Sequence, residues 1–238
     1  MQKKSKPPGS IISNKLLAAL PTRDYKRLSP HLEAVTLEFN AVLHEDGEAV
    51  RYVYFPGEGL VSLLVVTGNG AASEVGLVGS EGMVGLSALL GVDDAPGREL
   101  VQMSGAAVRV KAKLMRAEFR RGGALQDLLL RYTHALFTQI SQSTACMASH
   151  ALDRRLCRWL LMTHDGARGD TFEITQEFMA SMLGVTRAVV TRAAGALKME
   201  QMIRYSRGRV TMLDRRGVEA RACECYASVR EEYARVLG

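Results

Sequence analysis

Eight basic side chains crowd into the stretch Val185–Arg216: Arg187, Arg192, Lys198, Arg204, Arg207, Arg209, Arg215 and Arg216, against only Glu200 and Asp214. That window carries a formal charge of +6, which is also the charge of the whole 238-residue chain, so the remainder is balanced. A guanidinium group suits a phosphate, and its planar fork can also bond guanine O6 and N7 together. A positive field gathered on one segment points to a polyanionic partner more than to general solubility. The competing reading of the same residues is a solvated basic face with no partner.

The elements that would position these arginines can be read around them. Residues 174–197, ITQEFMASMLGVTRAVVTRAAGAL, spell two short helices joined by a tight turn. Thr175 is a suitable N-cap with Gln176 and Glu177 in the first turn, where a carboxylate complements the helix dipole. Gly184 stands where the turn needs a positive φ. Thr186 can cap the second helix, whose apolar Val189, Val190, Ala193 and Leu197 are expected to face a core. Arg187, Thr191 and Arg192 are then left outside. Beyond Gln201, residues 203–205 and 210–213 read as short strands around Ser206-Arg207-Gly208, a hairpin with a basic tip. A helix pair followed by a basic hairpin is a winged helix, the form in which a helix is presented to the major groove of double-stranded DNA.

Elsewhere the chain divides at its prolines, all six of which lie in the first 96 residues. There, short β-rich runs at 34–39, 52–55, 60–67, 74–78 and 107–111 alternate with turn signals at Asp46-Gly47, Pro56-Gly57 and Gly68-Asn69-Gly70, predicting a small jelly roll. From Ala124 to Asp165 there is neither glycine nor proline. Leu125, Leu129, Tyr132, Leu136, Ile140 and Met147 recur at helical spacing, predicting a long helix with an apolar stripe. That stripe is read as a parallel dimer seam, with packing on its own domain as the alternative. A break near residues 150–152 precedes a second helix through Trp159 and Met162. Residues 217–238 read as a further helix.

The order of β-roll, long connecting helix and winged helix resembles the Crp/Fnr family of bacterial transcription regulators over about residues 20–215. The likeness is most specific at Ile174-Thr175-Gln176-Glu177, at Gly184-Val185-Thr186-Arg187 with Val190 and Arg192, and in the wing at 203–211. The resemblance implies an α+β chain with a cyclic-nucleotide-binding-like sensor β-roll (20–115), a dimerisation helix (116–151) and a winged helix-turn-helix domain (152–238). It implies a homodimer reading a palindromic operator. Thr175 and Gln176 would meet phosphates, Arg187 and Arg192 base edges, with Thr186 and Thr191 on the same face and Arg207 and Arg209 in the wing. Ala188 replaces the glutamate of many members, which implies a different operator. The turn 163–170 would lie where some members touch RNA polymerase.

The sensor half departs from the cyclic-nucleotide pattern. Val84-Gly85-Leu86 puts leucine in place of the ribose-binding glutamate, and Pro96 falls near the place of the phosphate-binding arginine. Without those anchors cyclic AMP is disfavoured as the effector. Gly85, Leu86 and Arg98 remain the candidate effector-binding positions, for a small molecule left unidentified. The apolar segment Leu77, Met83, Val84, Leu86, Leu89 and Leu90 suits either a hydrophobic effector or a filled core.

No nucleophilic triad, phosphate loop or catalytic carboxylate pair stands out, so an enzyme is not expected. A cupin-type metal enzyme is weighed against this, because a jelly roll can hold a metal, but the roll offers only His31 and His44 near Glu45 and Glu48. A ligand-binding regulatory module without DNA contact is the other alternative. Cys146, Cys157, Cys223 and Cys225 show no CxxC pairing, and Cys223 and Cys225 on one helix would point apart, so idle thiols and no metal are expected. No cysteine precedes Cys146, which excludes the N-terminal cluster of the oxygen-sensing branch. No apolar run approaches the roughly 20 residues of a bilayer span. The basic start MQKKSKPPGS lacks a signal-peptide core. A cytoplasmic protein is expected.

Overall fold

Two antiparallel sheets stack face to face in the N-terminal half of the computed structural model, which describes residues 14–68 and 70–238. The basic run 1–10, and Asn69 in the turn at 68–70, lie outside the described residues. Two short helices, α1 (Lys15–Ala18) and α2 (Thr22–Leu28), lead into the strands β1 (Glu33–Leu37), β2 (Val42–His44), β3 (Tyr52–Pro56), β4 (Leu60–Val66), β5 (Ala72–Val78), β6 (Arg98–Met103) and β7 (Gly105–Lys111). One sheet runs β1-β7-β3, the other β2-β6-β4-β5. The inner faces bury Leu37, Val61, Val78, Val84, Val101 and Ala107, so the space between the sheets is filled by the roll's own side chains. Val84 belongs to that core, Met83 and Leu89 are buried in the cluster between roll and helices, Leu77 is buried as well, and Leu90 is half exposed.

Two strands of the roll, β2 and β6, were not predicted. β2 is only three residues long and its pairing with β6 is irregular. In β6 the polar Glu99 and Gln102 are buried beside Leu100 and Val101, which erases the alternation by which a strand is read. Each polar group has partners. Glu99 contacts His44 Nδ1 and accepts from the Gly85 amide, and Gln102 accepts from Ser62 Oγ at 2.8 Å while donating to Thr163 Oγ1 at 2.9 Å.

Helix α3 (Ala112–Arg120) turns the chain into α4 (Ala124–Ser149), 26 residues without glycine or proline and therefore about 39 Å long. The apolar stripe of α4 packs on the roll. Leu125, Leu129, Tyr132 and Leu136 are buried together with Val53, Phe55 and Met83, and Ile140 packs against the same cluster. Tyr132 Oη donates to the Met83 carbonyl at 2.8 Å. Gly82 admits this contact, since a Cβ there would stand 2.7 Å from the tyrosine hydroxyl. The seam read from these residues is thereby corrected. Each of these large side chains is already buried within one chain, which contributes roughly 1.5–3 kcal/mol apiece, so none is free to meet a second chain. Facing outward instead are Leu130 and Phe137, with His134 between them and Ser141, Thr144 and Ala148 continuing the line. Met147 is exposed but lies near Gly184.

At His150 the backbone becomes extended (φ −113°, ψ 141°), ending α4, and α5 (Leu152–Asp165) follows. The rest comprises β8 (Thr171–Glu173), α6 (Gln176–Leu183), α7 (Arg187–Met199), β9 (Ile203–Ser206), β10 (Arg209–Met212), α8 (Arg215–Arg221) and α9 (Cys225–Leu237). The single C-terminal helix read from 217–238 is thus two, broken at Ala222, whose backbone is extended. α9 returns to lie along α4. Among the described residues no helix is long and apolar enough to cross a membrane.

Candidate nucleic-acid interface

Local chemistry sets the two helices of residues 176–199 at a fixed angle. Thr175 Oγ1 accepts from the Phe178 amide at 3.1 Å, and Tyr205 Oη accepts from the Gln176 amide at 3.1 Å, so two unpaired N–H groups of the α6 start are satisfied. Gly184 ends α6 at φ +65°, and Val185 N–H returns to the Ala180 carbonyl at 3.0 Å. Thr186 occupies the N-cap position of α7, but its side chain makes no capping hydrogen bond. Thr191 Oγ1 lies 2.8 Å from Gln176 Oε1 and 2.9 Å from the Arg187 carbonyl, and can donate to one at a time.

Helix α7 has one buried and one open face. Val190, Ala194 and Leu197 are buried among Ile174, Met179, Ile203 and Val210, whereas Val189 and Ala193, read as core, are only half-buried. The true buried face is offset because Val190, Ala194 and Leu197 follow the i, i+4, i+7 row. On the open face Arg187, Ala188, Thr191 and Arg192 are exposed. Arg187 approaches Glu177 to 3.7 Å, but both side chains are largely solvated, so this ion pair holds the guanidinium weakly.

Gly195 lies further along the open side, and a Cβ added there would meet nothing within 4 Å. A mid-helix glycine with no packing reason is a helix penalty, so Gly195→Ala is expected to raise stability by about 0.5–1 kcal/mol in urea unfolding. Its effect on DNA affinity then measures how near the helix backbone comes to a duplex.

The wing is a three-stranded sheet in the order β8-β10-β9, one strand more than predicted. Its β9–β10 turn puts Arg207 (φ +49°) and Gly208 (φ +76°) in the left-handed region, the signature of a two-residue primed turn. Arg207 is exposed at the tip. Arg209 faces Glu173 across the β8–β10 pair and donates to its carboxylate at 2.8 Å. Arg215 is turned inward, donating to Asp165 at 2.7 Å and to Tyr226 Oη at 2.5 Å, with Glu219 alongside. One of the eight cations counted toward the positive field therefore serves the packing of α5, α8 and α9. Nothing in the composition distinguishes it from its neighbour Arg216, which is exposed.

The three candidate effector positions do not converge. Gly85 (φ +84°) gives its amide to the buried Glu99 carboxylate at 3.2 Å, so a fixed negative group already stands at that amide. Arg98, adjacent to Glu99 on β6, points to the opposite face and donates to Glu45 at 2.8 Å. Leu86 begins a short 3-10 helix, Leu86–Leu89. The expectation that Cys223 and Cys225 point apart on one helix is corrected: Cys146, Cys223 and Cys225 meet His150 in one cluster, because the break between α8 and α9 frees Cys223 and Cys225 from the spacing of a continuous helix.

A model of the Crp-like helix-turn-helix domain matches residues 154–221. No curated protein matches the chain. Among solved structures, FixK2 of Bradyrhizobium japonicum superposes with a TM-score of 0.69 at 13% identity, covering 81% of this chain and 98% of its own. A CRP/FNR-family transcriptional regulator of Thermus thermophilus gives 0.60 at 24% identity, covering 80% and 98%. A protein of Eubacterium rectale assigned to the crp/fnr family gives 0.67 at 18%, covering 87% and 96%. The chain therefore has the fold of the Crp/Fnr transcription regulators and carries, at residues 154–221, a Crp-like helix-turn-helix domain.

Proposed function

We propose that the protein is a sequence-specific DNA-binding transcription regulator that acts as a homodimer on a two-fold symmetric site, with half-sites about 34 Å apart. The observation that carries this reading is the exposed row Arg187, Ala188, Thr191, Arg192 on a helix whose other face is locked into a core and whose first turns are braced by α6, itself held by Tyr205 of the wing. Thr175, Gln176 and Thr186 sit beside that row and would meet phosphates, as would Arg207 and Arg209 from the wing. The chain works by binding and not by catalysis. Residues 20–115 act as the sensor, 116–151, which hold the end of α3 and all of α4, as the dimerisation segment, and 152–238 as the reader.

An unidentified small molecule bound on the sensor half, outside its filled interior, would control it by shifting the population of dimers whose α7 helices match the operator spacing. A cyclic phosphate is a poor candidate, since Glu99 would confront it at the Gly85 amide. The turn 163–170 is the surface offered to RNA polymerase.

Selection of bound sequences from random duplexes at two salt concentrations tests the reading. A symmetric motif is expected. Arg192→Ala should lose about 1–3 kcal/mol and relax one base position, whereas Arg207→Ala should weaken all sequences alike and flatten the salt dependence. Equal loss by Arg192→Ala on operator and random DNA would remove it from base reading. Absence of enrichment, even after adding cell-extract metabolites, would refute the DNA assignment.

A further inference from the structure

Four potential metal ligands from distant parts of the chain meet where α4 ends. Cys146 and His150 stand one turn apart on the last stretch of α4, and Cys223 and Cys225 flank the start of α9. One ligand atom from each of the four lies within 4.8 Å of every other. Cys146 Sγ is 3.4 Å from Cys223 Sγ, and Cys225 Sγ is 3.5 Å from His150 Nδ1. All three cysteines are buried and the imidazole is nearly so.

We propose that Cys146, His150, Cys223 and Cys225 hold one zinc-class divalent ion in a tetrahedral site that pins α9 to the bend between α4 and the DNA-reading domain. Three thiolates and one imidazole form a common donor set of closed, structural zinc sites. A tetrahedral ion with metal–sulfur bonds of about 2.3 Å sets its sulfurs roughly 3.8 Å apart, so the ligands need only small shifts to close on one ion. An iron–sulfur cluster would need its ligands spread around a larger core.

The surroundings fit the same ion. His150 Nε2 pairs with Glu224 Oε1 at 3.1 Å, which leaves Nδ1 to face the sulfurs. This carboxylate–histidine arrangement is the one that orients metal-bound imidazoles. Gln142 Nε2 donates to Cys225 Sγ at 3.1 Å, as a thiolate would accept. Three thiolates on a dication leave one net negative charge, and the buried Arg158 guanidinium acts electrostatically on Cys146 and Cys223 while its Nε has no hydrogen-bond partner. Cys157, also buried, stands outside the cluster.

The placement gives the ion a regulatory position. His150 is the residue at which α4 ends and the chain turns into α5. An ion shared between that bend and α9, which packs along α4, would fix how the reader is carried relative to the long helix. This consequence rests on the DNA-binding reading above, whereas the site itself does not.

The full-length chain, purified under reductant without added metal, is expected to carry about one zinc-class ion per chain by elemental analysis. After chelation, titration with cobalt(II) alone should give the strong visible bands of tetrahedral cobalt with thiolate charge transfer, and zinc should displace them at one equivalent. Cys223→Ser should abolish that spectrum, and Glu224→Gln, which leaves every ligand in place, should weaken binding about 10–100-fold. Cys157→Ser is expected to bind as the parent does.

A cobalt spectrum lacking thiolate charge transfer, or a metal-free chain with a Cys146–Cys223 disulfide, would overturn the site. So would equal loss of metal by Cys157→Ser and Cys223→Ser. The selected operator then reports the coupling: the metal-free form should bind at least tenfold more weakly, and equal affinity with and without the ion would overturn the pinning role. Failure of both forms to bind any DNA would instead count against the DNA reading and leave the metal result standing.

Discussion

Phe137→Glu is expected to leave the chain folded and monomeric, and to lower affinity for a two-fold symmetric operator by about 10²–10⁴-fold. The argument begins with what α4 does not bury. Phe137 is 68% exposed and Leu130 48%, on a helix whose opposite side is sealed against the roll. Large apolar groups aligned on an otherwise folded surface mark an association site. Leu130, His134, Phe137, Ser141, Thr144 and Ala148 follow one another at the three- and four-residue steps of a single helix face.

A glutamate at 137 would place like charges opposite each other in a parallel pair and remove the largest apolar contact. The intramolecular second binding event would go with it. Sedimentation equilibrium gives the mass and a gel-shift titration the affinity. An unchanged mass for the Phe137→Glu chain would move the dimer contact off this face. Leu136→Glu supplies the contrast, because Leu136 is only 6% exposed and a charge there should unfold the roll–helix junction.

The same pair of neighbours shows where the sequence stopped being informative. Periodicity located α4 and its apolar stripe to within a residue or two, since helix length and the 3.6-residue repeat are local properties. It could not say which partner covers the stripe. A stripe that meets a sheet of the same chain and one that meets a second copy have the same spacing, and only the tertiary placement of Phe55, Met83 and Gly82 decides between them.

The helix pair α6–α7 was legible for the converse reason. Thr175 and Gly184 act within a few residues of the turns they shape, through caps and turns with strong residue preferences, whereas the Tyr205 contact with the Gln176 amide carries no such local signal and Thr186, read as a cap, makes no capping bond. The cysteine cluster was hidden because its two halves are far apart in sequence, and because the break at Ala222 voids the helical spacing from which Cys223 and Cys225 were judged to diverge. β6 escaped notice because burial of Glu99 and Gln102 depends on partners in other elements.

Those buried polar groups extend to the junction between roll and reader, where they make stability depend on pH. Glu74 on β5 accepts from Trp159 Nε1 on α5 at 2.8 Å, while its second carboxylate oxygen is buried without a partner. Burial raises its pKa from 4.5 to about 7, against the opposing pull of Ser62, Arg158 and Trp159. The native state therefore keeps a proton that the unfolded chain releases. Stability associated with this group is complete below about pH 4.5, declines as pH rises toward 7, and is level above that. The raised pKa corresponds to about 3 kcal/mol over that interval.

Glu74→Gln preserves an acceptor for Trp159 and has no charge to bury, so it should flatten this slope and be the more stable form at pH 8. Urea unfolding of both chains at pH 5 and pH 8 measures the difference. Parallel pH slopes for the two chains would show that Glu74 does not titrate across this range. Because the hydrogen bond spans β5 and α5, deprotonation should loosen the roll from the reader before it loosens either alone, and amide exchange at the α5 backbone should quicken between pH 5 and pH 8 in the parent but not in Glu74→Gln, after correction for the intrinsic pH dependence of exchange.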